Sequence, residues 1–360
     1  MPTSQPVEET LEAARTIAAL ARDRAAEGER ERRLATDLVD AMVDAGFFRL
    51  CVPASVGGGE AHPATLVSVC EELARGDAAA GWCIAVMATA GMPAAYIPEP
   101  AAQEIFGDPR SVVGGVFAPR GRAIADGDSY RVSGRWPFSS GVDHCTWVTG
   151  GCIVEEDGSP RLLESGRPDV ELTLFPRDEV EVIDTWNVSG LRATGSHDIA
   201  VAELTVPRAH ATSVITRQPR EDGPLYAFPP FGLLALTIAG TALGIGRSAS
   251  VRAEATLLSA RTFLHDAIGA AWIAAAGGRG VSIEQRAALR LAATHATAAS
   301  ATAVDTAYEL GGGTAIYETS PLQRRFRDVH AATQHMLIGP STWELTGRLM
   351  LGLPTDIAQL

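Results

Sequence analysis

Apolar residues recur with a helical period along the first hundred residues of the chain and again along its last third. Near the N-terminus they form three successive stripes: Leu11, Ile17, Ala18 and Leu20; then Leu34, Leu38, Val39, Met42 and Val43; then residues 65–74. An apolar stripe with this period lies on one face of an amphipathic helix. The same period returns after Pro229 and continues to Leu353, so both ends of the chain are predicted to be helical.

The middle of the chain has a different pattern. Its apolar residues alternate or cluster in short β-rich runs bounded by Gly, Asp and Pro, at residues 112–117, 130–138, 147–154, 170–175 and 199–206. Runs of this length and composition are typical of antiparallel strands. We therefore predict an α+β fold with a helical domain at residues 1–110, a β domain at 111–212 and a helical bundle domain at 213–360.

Two helix starts are predicted from capping residues. Ser282 precedes Gln285 by three positions and Ser341 precedes Glu344 by three, which is the spacing of a capping box. The stretch 287–307 is rich in Ala, Thr and Ser, whose small side chains let helices cross closely. The last part of the chain is therefore expected to be a tightly packed bundle.

Composition and charge exclude several classes of protein. The 360 residues are 46% hydrophobic and 20% charged, as in ordinary globular proteins, and this length favours two or three packed units. The 30 basic and 43 acidic residues give a net charge of −13, which disfavours binding to nucleic acid or to an anionic membrane. Every basic residue is Arg, which excludes lysine Schiff-base chemistry and the lysine of a Walker loop.

Cysteine usage and the absence of targeting signals indicate a cytoplasmic protein. The five cysteines include no CxxC pair, so they predict neither a disulfide framework nor a metal site. Residues 7–33 lack the apolar core of a signal peptide. The longest apolar run, residues 231–246, is interrupted by Gly and Thr, and we expect it to fall short of the roughly 18 apolar residues of a membrane span. Residues 244–249 match a dinucleotide fingerprint only loosely, because no strand and turn precede them.

The segment 134–147, GRWPFSSGVDHCTW, combines aromatic residues with two hydroxyls and a glycine. One interpretation is a β-turn beside a packed aromatic face. The other is a wall for a flat heterocycle, in which aromatics contact the ring while a hydroxyl and backbone N–H groups bond to its edge, as a buried flavin requires. The residues alone leave both interpretations open.

Several segments resemble one enzyme superfamily. Residues 33–53 (RLATDLVDAMVDAGFFRLCVP), the glycines at 57–59 and residues 71–75 are similar to the N-terminal region of acyl-CoA dehydrogenases. The segments WPFSSGVDHCTW, WNVSGLRATGSHD from Trp186 and RDVHAATQH from Arg327 resemble its flavin-dependent monooxygenase branch. The resemblance covers nearly the whole chain. It implies an acyl-CoA dehydrogenase-like fold, with an N-terminal helical domain, a middle antiparallel β-barrel or sandwich and a C-terminal four-helix bundle.

Members of this branch are the oxygenase components of two-component phenol and polyketide hydroxylases. The resemblance implies that reduced FMN or FAD arrives from a separate NAD(P)H:flavin reductase and reacts with O2 to give a C4a-hydroperoxyflavin. This species would hydroxylate a small aromatic substrate, expected to be phenolic or a polyketide. The resemblance also implies a homo-oligomer, expected to be a tetramer built as a dimer of dimers.

The two branches differ in their need for a carboxylate. A dehydrogenase removes the α-proton of an acyl thioester with a carboxylate while hydride passes to the flavin. By resemblance, the usual glutamate position is Met336 here, and the alternative position after the β domain is near Leu234. Glu344 is the nearest substitute, although a capping role explains it more simply. An acyl-CoA dehydrogenase with an atypical base is the first alternative, and a non-catalytic binding partner is the second.

The resemblance also implies which residues contact the flavin. Ser139 matches the hydroxyl that bonds to flavin N5, and Ser140 is the alternative. The positions that match its other contacts are Phe117 and Trp147 beside the rings, and Arg261, Gly311 and Gly312 near the phosphates across a subunit interface. A helix C-cap and turn explains the glycines equally well. The GLRATGS turn at residues 190–196 either reaches the flavin or substrate, or only shapes its loop.

On the substrate side, His335 matches the second histidine of the RDxHxxxxH segment. A neutral imidazole beside a phenol is a natural base, so His335 is the predicted catalytic base, although a lone helical histidine is more often a surface or capping residue. The other residues expected at the substrate are Trp82, His144 and Met336. Some relatives carry a second active-site histidine where this chain reads MATA at 87–90, and His144 is the candidate replacement.

Overall fold

The computed structural model describes residues 7–248, 253–358 and 360. The N-terminal part contains five helices: α1 (Val7–Glu31), α2 (Thr36–Asp44), α3 (Pro63–Gly76), α4 (Ala78–Met87) and α5 (Glu99–Phe106). Helix α3 packs against α1 and α4. Gly76 permits the close approach of α1, because a Cβ there would collide with the carbonyl of Ala18. Helix α4 is buried along its length, which places its Trp82 inside the protein.

The middle part is one eight-stranded sheet. Its strands are β1 (Val113–Asp126), β2 (Ser129–Ser139), β3 (Trp147–Glu156), β4 (Ser159–Pro160), β5 (Val170–Pro176), β6 (Glu181–Ile183), β7 (His197–Pro207) and β8 (Ala211–Thr212). The hydrogen-bonded order is β6-β7-β2-β1-β3-β5-β8, with β4 paired to β3. The five long runs predicted from the sequence all form strands, whereas the short strands β4, β6 and β8 were not predicted.

One strand pair departs from the antiparallel prediction. Strands β1 and β3 are parallel, with Val113 opposite Trp147, and all the other strand pairs in the described residues are antiparallel. The reason is the order of the chain: β2 reverses direction and occupies one edge of β1, so the chain must reverse again before β3 reaches the other edge. The prediction of a purely antiparallel domain was therefore wrong for this pair.

A buried tryptophan fixes the centre of the sheet. Trp136 on β2 has no exposed surface and donates a hydrogen bond from Nε1 to the carbonyl of Gly151 over 2.7 Å. The glycines at 121, 134 and 150 surround its indole, and a Cβ at any of them would collide with the ring. This packing holds the end of β2, where Ser139 lies, against the interior.

The C-terminal part consists of helices α6 (Pro230–Arg247), α7 (Glu254–Ala276), α8 (Ile283–Gly311), α9 (Pro321–Ala332) and α10 (Ser341–Met350). Helix α8 packs against α6, α7, α9 and α10, and α6 also packs on α3. The glycines of the fingerprint-like segment lie inside α6, where a Cβ at Gly244 would collide with the carbonyl of Glu71; Ala249 lies outside the described residues. These glycines therefore serve helix packing. The domain boundaries at residues 110 and 212 stay predictions.

The two predicted capping boxes have different outcomes. Gln285 N donates to Ser282 Oγ over 3.2 Å and Ser282 N donates to Gln285 Oε1 over 3.0 Å, so the first box is present. The second prediction was wrong, because α10 begins at Ser341 itself and is preceded by Pro340, which has no capping side chain. Glu344 is exposed on the first turn of α10.

Two segments, Ala78–Ala95 and Pro230–Arg247, are long and apolar enough to cross a membrane by length and composition. The expectation that residues 231–246 were too short was therefore too strict. Within the fold, 94% and 78% of the two segments are buried, and this burial accounts for their apolar composition.

Candidate functional site

The chain turns sharply where β2 ends, and this turn carries Ser139 and Ser140. The register between β2 and β7 shifts between Trp136 and Ser139, and Phe138 has a positive φ of 68°. Ser140 N donates to the carbonyl of Phe138 over 2.9 Å, and Gly141 has a φ of 71°. A bulky residue at positive φ is an outlier that is held in place by its surroundings and is common at functional sites. The turn directs the Ser139 side chain inward, where it is fully buried.

Ser140 belongs to a chain of hydrogen bonds whose direction can be worked out. Trp82 Nε1 donates to Ser140 Oγ over 3.2 Å, Ser140 and Ser196 hydroxyls lie 2.7 Å apart, and Ser196 and Thr194 hydroxyls lie 2.6 Å apart. Thr194 Oγ1 lies 2.9 Å from the carbonyl of Leu191. Since a carbonyl only accepts and each hydroxyl has one hydrogen, Thr194 donates to Leu191, Ser196 to Thr194, and Ser140 to Ser196.

This direction separates the two serines. The hydroxyl hydrogen of Ser140 is committed to Ser196, so Ser140 cannot donate to a ligand without breaking the chain. Ser139 Oγ is buried and has no hydrogen-bond partner in the described residues. A buried polar group without a partner is unusual and requires an explanation such as a missing ligand or water. Of the two candidates, Ser139 therefore has the free hydroxyl.

A separate hydrogen bond ties Leu191 to helix α9. Leu191 N donates to Oδ1 of Asp328 over 2.7 Å, and Leu191 itself has a positive φ of 54°. Asp328 is only 4% exposed, and burial raises its pKa to about 7. The RD motif thus holds the GLRATGS turn. Sequence reasoning did not assign a role to Asp328, although its place beside Arg327 in the motif was a signal.

The GLRATGS turn itself is shaped by contacts within the chain. Arg192 donates from Nε to the carbonyl of Glu29 over 3.3 Å and from Nη1 to that of Val188 over 3.1 Å. Arg327 pairs with the carboxylate of Glu29 at 3.0 Å. These contacts, with those of Thr194 and Ser196, favour the interpretation in which the turn shapes its loop.

His335 lies beside Trp82 in the loop between α9 and α10, which we call the histidine loop. The two ring centroids are 5.8 Å apart, and the planes meet at 69° in an edge-on contact. Nδ1 of His335 accepts a hydrogen bond from Leu337 N over 3.3 Å. Burial and the nearby positive charge of Arg290 lower the pKa of His335 to about 4, so its imidazole is neutral at neutral pH. Trp82 thus contacts both the turn after β2 and the histidine loop.

Arg290 on α8 holds the histidine loop in place through hydrogen bonds. Its Nε and Nη2 donate to the carbonyl of Leu337 over 3.1 and 2.8 Å, and Nη2 also lies 3.4 Å from Thr342 Oγ1. Arg290 is 2% exposed, and burial lowers its pKa to about 10. Sequence reasoning missed Arg290, because an arginine among the alanines of a helix carries no local signal of burial.

No carboxylate occupies either position expected for a dehydrogenase base. Met336 is 59% exposed next to His335, and Leu234 is partly buried in α6. Glu344 is exposed on α10. The described residues also contain no group of three or more His, Cys, Asp or Glu side chains that could hold a metal ion. Within the described residues, neither position expected for a dehydrogenase base therefore supplies a carboxylate for proton abstraction.

The structure places His144 on a short turn that follows Gly141. Its Nε2 is buried without a hydrogen-bond partner in the described residues, and burial lowers its pKa. Met87, in the segment where the resemblance implied a second histidine, packs against Gly141. The described contacts do not join His144 to His335, so its substrate-binding role stays a prediction.

Phe117 and Trp147 pack on a second hydrophobic cluster between the sheet and the N-terminal helices. Both contact this cluster, which includes Val113 and Leu174, and Trp147 meets His210 edge-on with ring centroids 5.5 Å apart. Phe117 is half-buried and also contacts the main core. Their contacts are those of partly buried side chains that cover this cluster, and their flavin-binding role stays a prediction.

The residues expected at a subunit interface make contacts within the chain. Arg261 on α7 donates from Nε to both carboxylate oxygens of Glu71, at 3.1 and 2.8 Å, and Glu71 is only 1% exposed. Gly311 ends α8, and Gly312 forms its C-cap with a φ of 53°. The turn interpretation of the glycines therefore has direct support, while their contact with a cofactor stays a prediction.

Comparison with known proteins places this geometry in a family. The chain matches the acyl-CoA dehydrogenase N-terminal domain over residues 7–102 and the acyl-CoA dehydrogenase C-terminal domain over residues 236–340. It is 31% identical to the indole-3-acetate monooxygenase of Pseudomonas putida over 368 aligned residues, covering 92% of this chain and 91% of the relative.

Two further relatives have solved structures. The flavin-dependent monooxygenase oxygenase subunit HsaA of Mycobacterium tuberculosis is 30% identical, covering 92% of this chain and 93% of the relative. A crystal structure of HsaA superimposes with a TM-score of 0.89 at 28% identity and covers 99% of this chain and all of that one. XiaF from Streptomyces, solved with FADH2 and glycerol, gives a TM-score of 0.83 at 26% identity and covers 97% of this chain and 96% of XiaF.

The resemblance found in the sequence is thus confirmed over both the helical and the β parts of the fold. The chain belongs to the acyl-CoA dehydrogenase superfamily, in the branch formed by the oxygenase components of flavin-dependent monooxygenases.

Proposed function

We propose that this oxygenase component hydroxylates a small phenolic compound between the turn that carries Ser139 and the loop that carries His335. The observation that supports this location is the position of Trp82. Its indole N–H bonds to Ser140 over 3.2 Å, and its ring contacts the imidazole of His335 edge-on. A ligand that touches both elements would therefore lie against Trp82.

The residues present fit a bound flavin. The Ser139 hydroxyl is free, and the strained backbone at Phe138 fixes its position. We assign Ser139 to the edge of the flavin ring and Phe117 to its face. When bound, reduced FMN or FAD supplies the electrons that activate O2. The role of this chain is to bind and orient the flavin and to exclude water from it.

The substrate side is formed by Trp82, His335 and Met336. Trp82 offers a flat apolar surface to an aromatic ring, and Met336 offers a flexible apolar side chain. His335 is the polar group that would meet the phenolic oxygen, and its neutral state suits a hydrogen bond to that oxygen. The names of the relatives agree with an aromatic substrate, since one acts on indole-3-acetate.

Two partners follow from the proposal. Relatives named as oxygenase subunits imply a separate flavin reductase, and we propose an NAD(P)H-dependent reductase as the partner of this chain. We also propose a homotetramer, because large apolar side chains are exposed on the C-terminal helices and the loops near them: Leu258, Ile273, Leu310, Ile316, Tyr317, Met350 and Leu351. A cytoplasmic location remains part of the proposal.

The deciding experiment supplies reduced FMN or FAD, 18O2 and a panel of phenols to the purified protein. We expect tight anaerobic binding of reduced flavin and a hydroxylated product that carries one 18O atom. A product without label, or no retained flavin, would contradict the proposal. Reduction of an artificial electron acceptor by acyl-CoA would instead support the dehydrogenase alternative, and inactivity in both assays would support a non-catalytic partner.

A further inference from the structure

We infer that His335 acts as a hydrogen-bond donor through Nε2–H, fixed in that form by Leu337 and Arg290, and does not act as the base that removes the phenolic proton. The inference rests on the proposed function for its substrate, but its geometric basis is independent of it. It changes the role expected from the sequence while keeping His335 at the same site.

The tautomer follows from the contact at Nδ1. Leu337 N can only donate, so Nδ1 of His335 must carry a lone pair toward it across 3.3 Å. A neutral imidazole has a single ring hydrogen, which is therefore on Nε2. Nε2 has no hydrogen-bond partner in the described part of the chain, so this N–H is available to a ligand.

Arg290 holds the group that selects this tautomer. Its guanidinium donates two hydrogen bonds to the carbonyl of Leu337, and Thr342 Oγ1 donates to the same carbonyl over 3.3 Å. Because these bonds hold the backbone at Leu337 in place, the adjoining N–H of Leu337 keeps its position beside the imidazole. The buried charge of Arg290 also opposes a second proton on His335. Arg290 is therefore a positioning residue.

The chemical consequence concerns the substrate oxygen. His335 can accept a proton only at Nδ1, which faces Leu337 and not the ligand. An N–H donor at Nε2 stabilises a phenolate oxygen more than a phenol, because bonds to charged acceptors are stronger. The site would thus bind the phenolate after its proton has passed to water. Electron density on the ring rises in that form, which favours attack on an electrophilic oxygen.

Three substitutions at His335 distinguish a hydrogen-bond donor from a base. Gln carries its amide N–H2 near the position of Nε2, Asn carries its amide near Nδ1, and Ala removes both. The probe is 4-nitrophenol, whose phenolate absorbs visible light. We expect His335→Ala and His335→Asn to weaken phenolate binding by about 10- to 100-fold, and His335→Gln by less than about tenfold, because a bond to a charged acceptor is lost only in the first two.

If His335 acted as a base, the three variants would rank differently. An amide cannot take up a proton, so His335→Gln would then be as defective as His335→Ala in phenolate formation and in hydroxylation of the probe. That result would overturn the inference. If the wild-type protein binds reduced flavin but hydroxylates no phenol, the proposed function fails, and the tautomer is then decided by a second measurement.

The second measurement is the 15N NMR spectrum of His335 in the wild-type protein, with His335→Gln used to assign its signals. We expect a protonated nitrogen at Nε2 and an unprotonated one at Nδ1. Thr342→Val, which removes one bond to Leu337, and Arg290→Lys, which removes the two-bond grip but keeps the charge, should both mix in the other tautomer. A wild-type spectrum with the proton on Nδ1, or with both nitrogens protonated at neutral pH, would refute the inference even without substrate.

Discussion

The indole N–H of Trp82 donates to the hydroxyl of Ser140 over 3.2 Å, which ties helix α4 to the turn that ends β2. The same indole contacts His335 through its ring. One side chain therefore connects Ser140, the neighbour of the serine proposed for the flavin edge, with His335, the residue proposed for the substrate. These contacts can be tested by substituting Trp82, the two serines and Asp328 one at a time.

Replacing Trp82 by Phe keeps an aromatic ring but removes the N–H. We expect a loss of about 1 kcal/mol in the free energy of unfolding, because Ser140 loses a buried hydrogen bond. Urea denaturation measures this loss. Trp343, which is 45% exposed, provides the matched control, and Trp343→Phe should leave stability within about 0.5 kcal/mol of wild type. Equal effects of the two substitutions would mean that the Ser140 bond has no energetic importance.

The two adjacent serines should respond in opposite ways to substitution by Ala. Ser139→Ala removes a buried hydroxyl without a partner, so we expect unchanged or slightly higher stability together with weaker binding of reduced flavin. Ser140→Ala leaves Trp82 and Ser196 without a shared partner, and we expect a loss of about 1 to 3 kcal/mol. Denaturation and anaerobic flavin titration are run on both variants. If Ser140→Ala impairs flavin binding while its stability is unchanged, the assignment of the two serines must be exchanged.

Local sequence patterns predicted the structural elements that depend on residues close together in the chain. Helical period identified the two helical parts, and the Ser282–Gln285 spacing identified a real cap. The parallel pairing of β1 and β3 was not predictable in this way, because it depends on which edge of β1 the chain reaches after β2. The cap at Ser341 failed because Pro340 allows the helix to begin one residue earlier than the pattern indicated.

In the candidate site, too, local motifs identified residues but not the contacts that decide their roles. Ser139 and His335 were found through motifs, because their residue types and neighbours are recognisable in the chain. Their roles depend on contacts that no motif encodes: the carbonyl of Leu191 sets the direction of the hydroxyl chain that leaves Ser139 free, and the N–H of Leu337 sets the tautomer of His335. Arg290 belongs to no motif, and only its hydrogen bonds from α8 to the carbonyl of Leu337 indicate the positioning role inferred for it.

Asp328 should make the stability of the protein depend on pH in a particular direction. Burial raises its pKa to about 7 in the folded chain, whereas an unfolded aspartate titrates near about 4. The folded protein therefore holds this proton over a range where the unfolded chain has lost it. The stabilisation is fully present below about pH 4 and is lost as the pH rises to about 7.

Asp328→Asn removes this dependence and keeps an oxygen that can accept from Leu191. We expect its free energy of unfolding to fall less steeply than that of wild type between about pH 4 and pH 7, as measured by urea denaturation. Some dependence should remain, since burial also raises the pKa of Asp77 to about 6. Asp356→Asn, at an exposed carboxylate paired with Arg167, is the control and should not flatten the curve. Parallel curves for wild type and Asp328→Asn would show that Asp328 is already ionised in the folded protein.

Glu344 tests the remaining dehydrogenase alternative. Its carboxylate is exposed on α10, while the two positions expected for a dehydrogenase base hold Met336 and Leu234. Because an exposed side chain that contacts no ligand contributes little, Glu344→Gln should keep hydroxylation within about twofold of wild type. His335→Ala, measured in parallel, should lose most of the hydroxylated product while retaining reduced flavin. If Glu344→Gln abolishes activity and the wild type reduces an electron acceptor with acyl-CoA, then Glu344 reaches the reacting carbon and the residues around His335 serve a dehydrogenase.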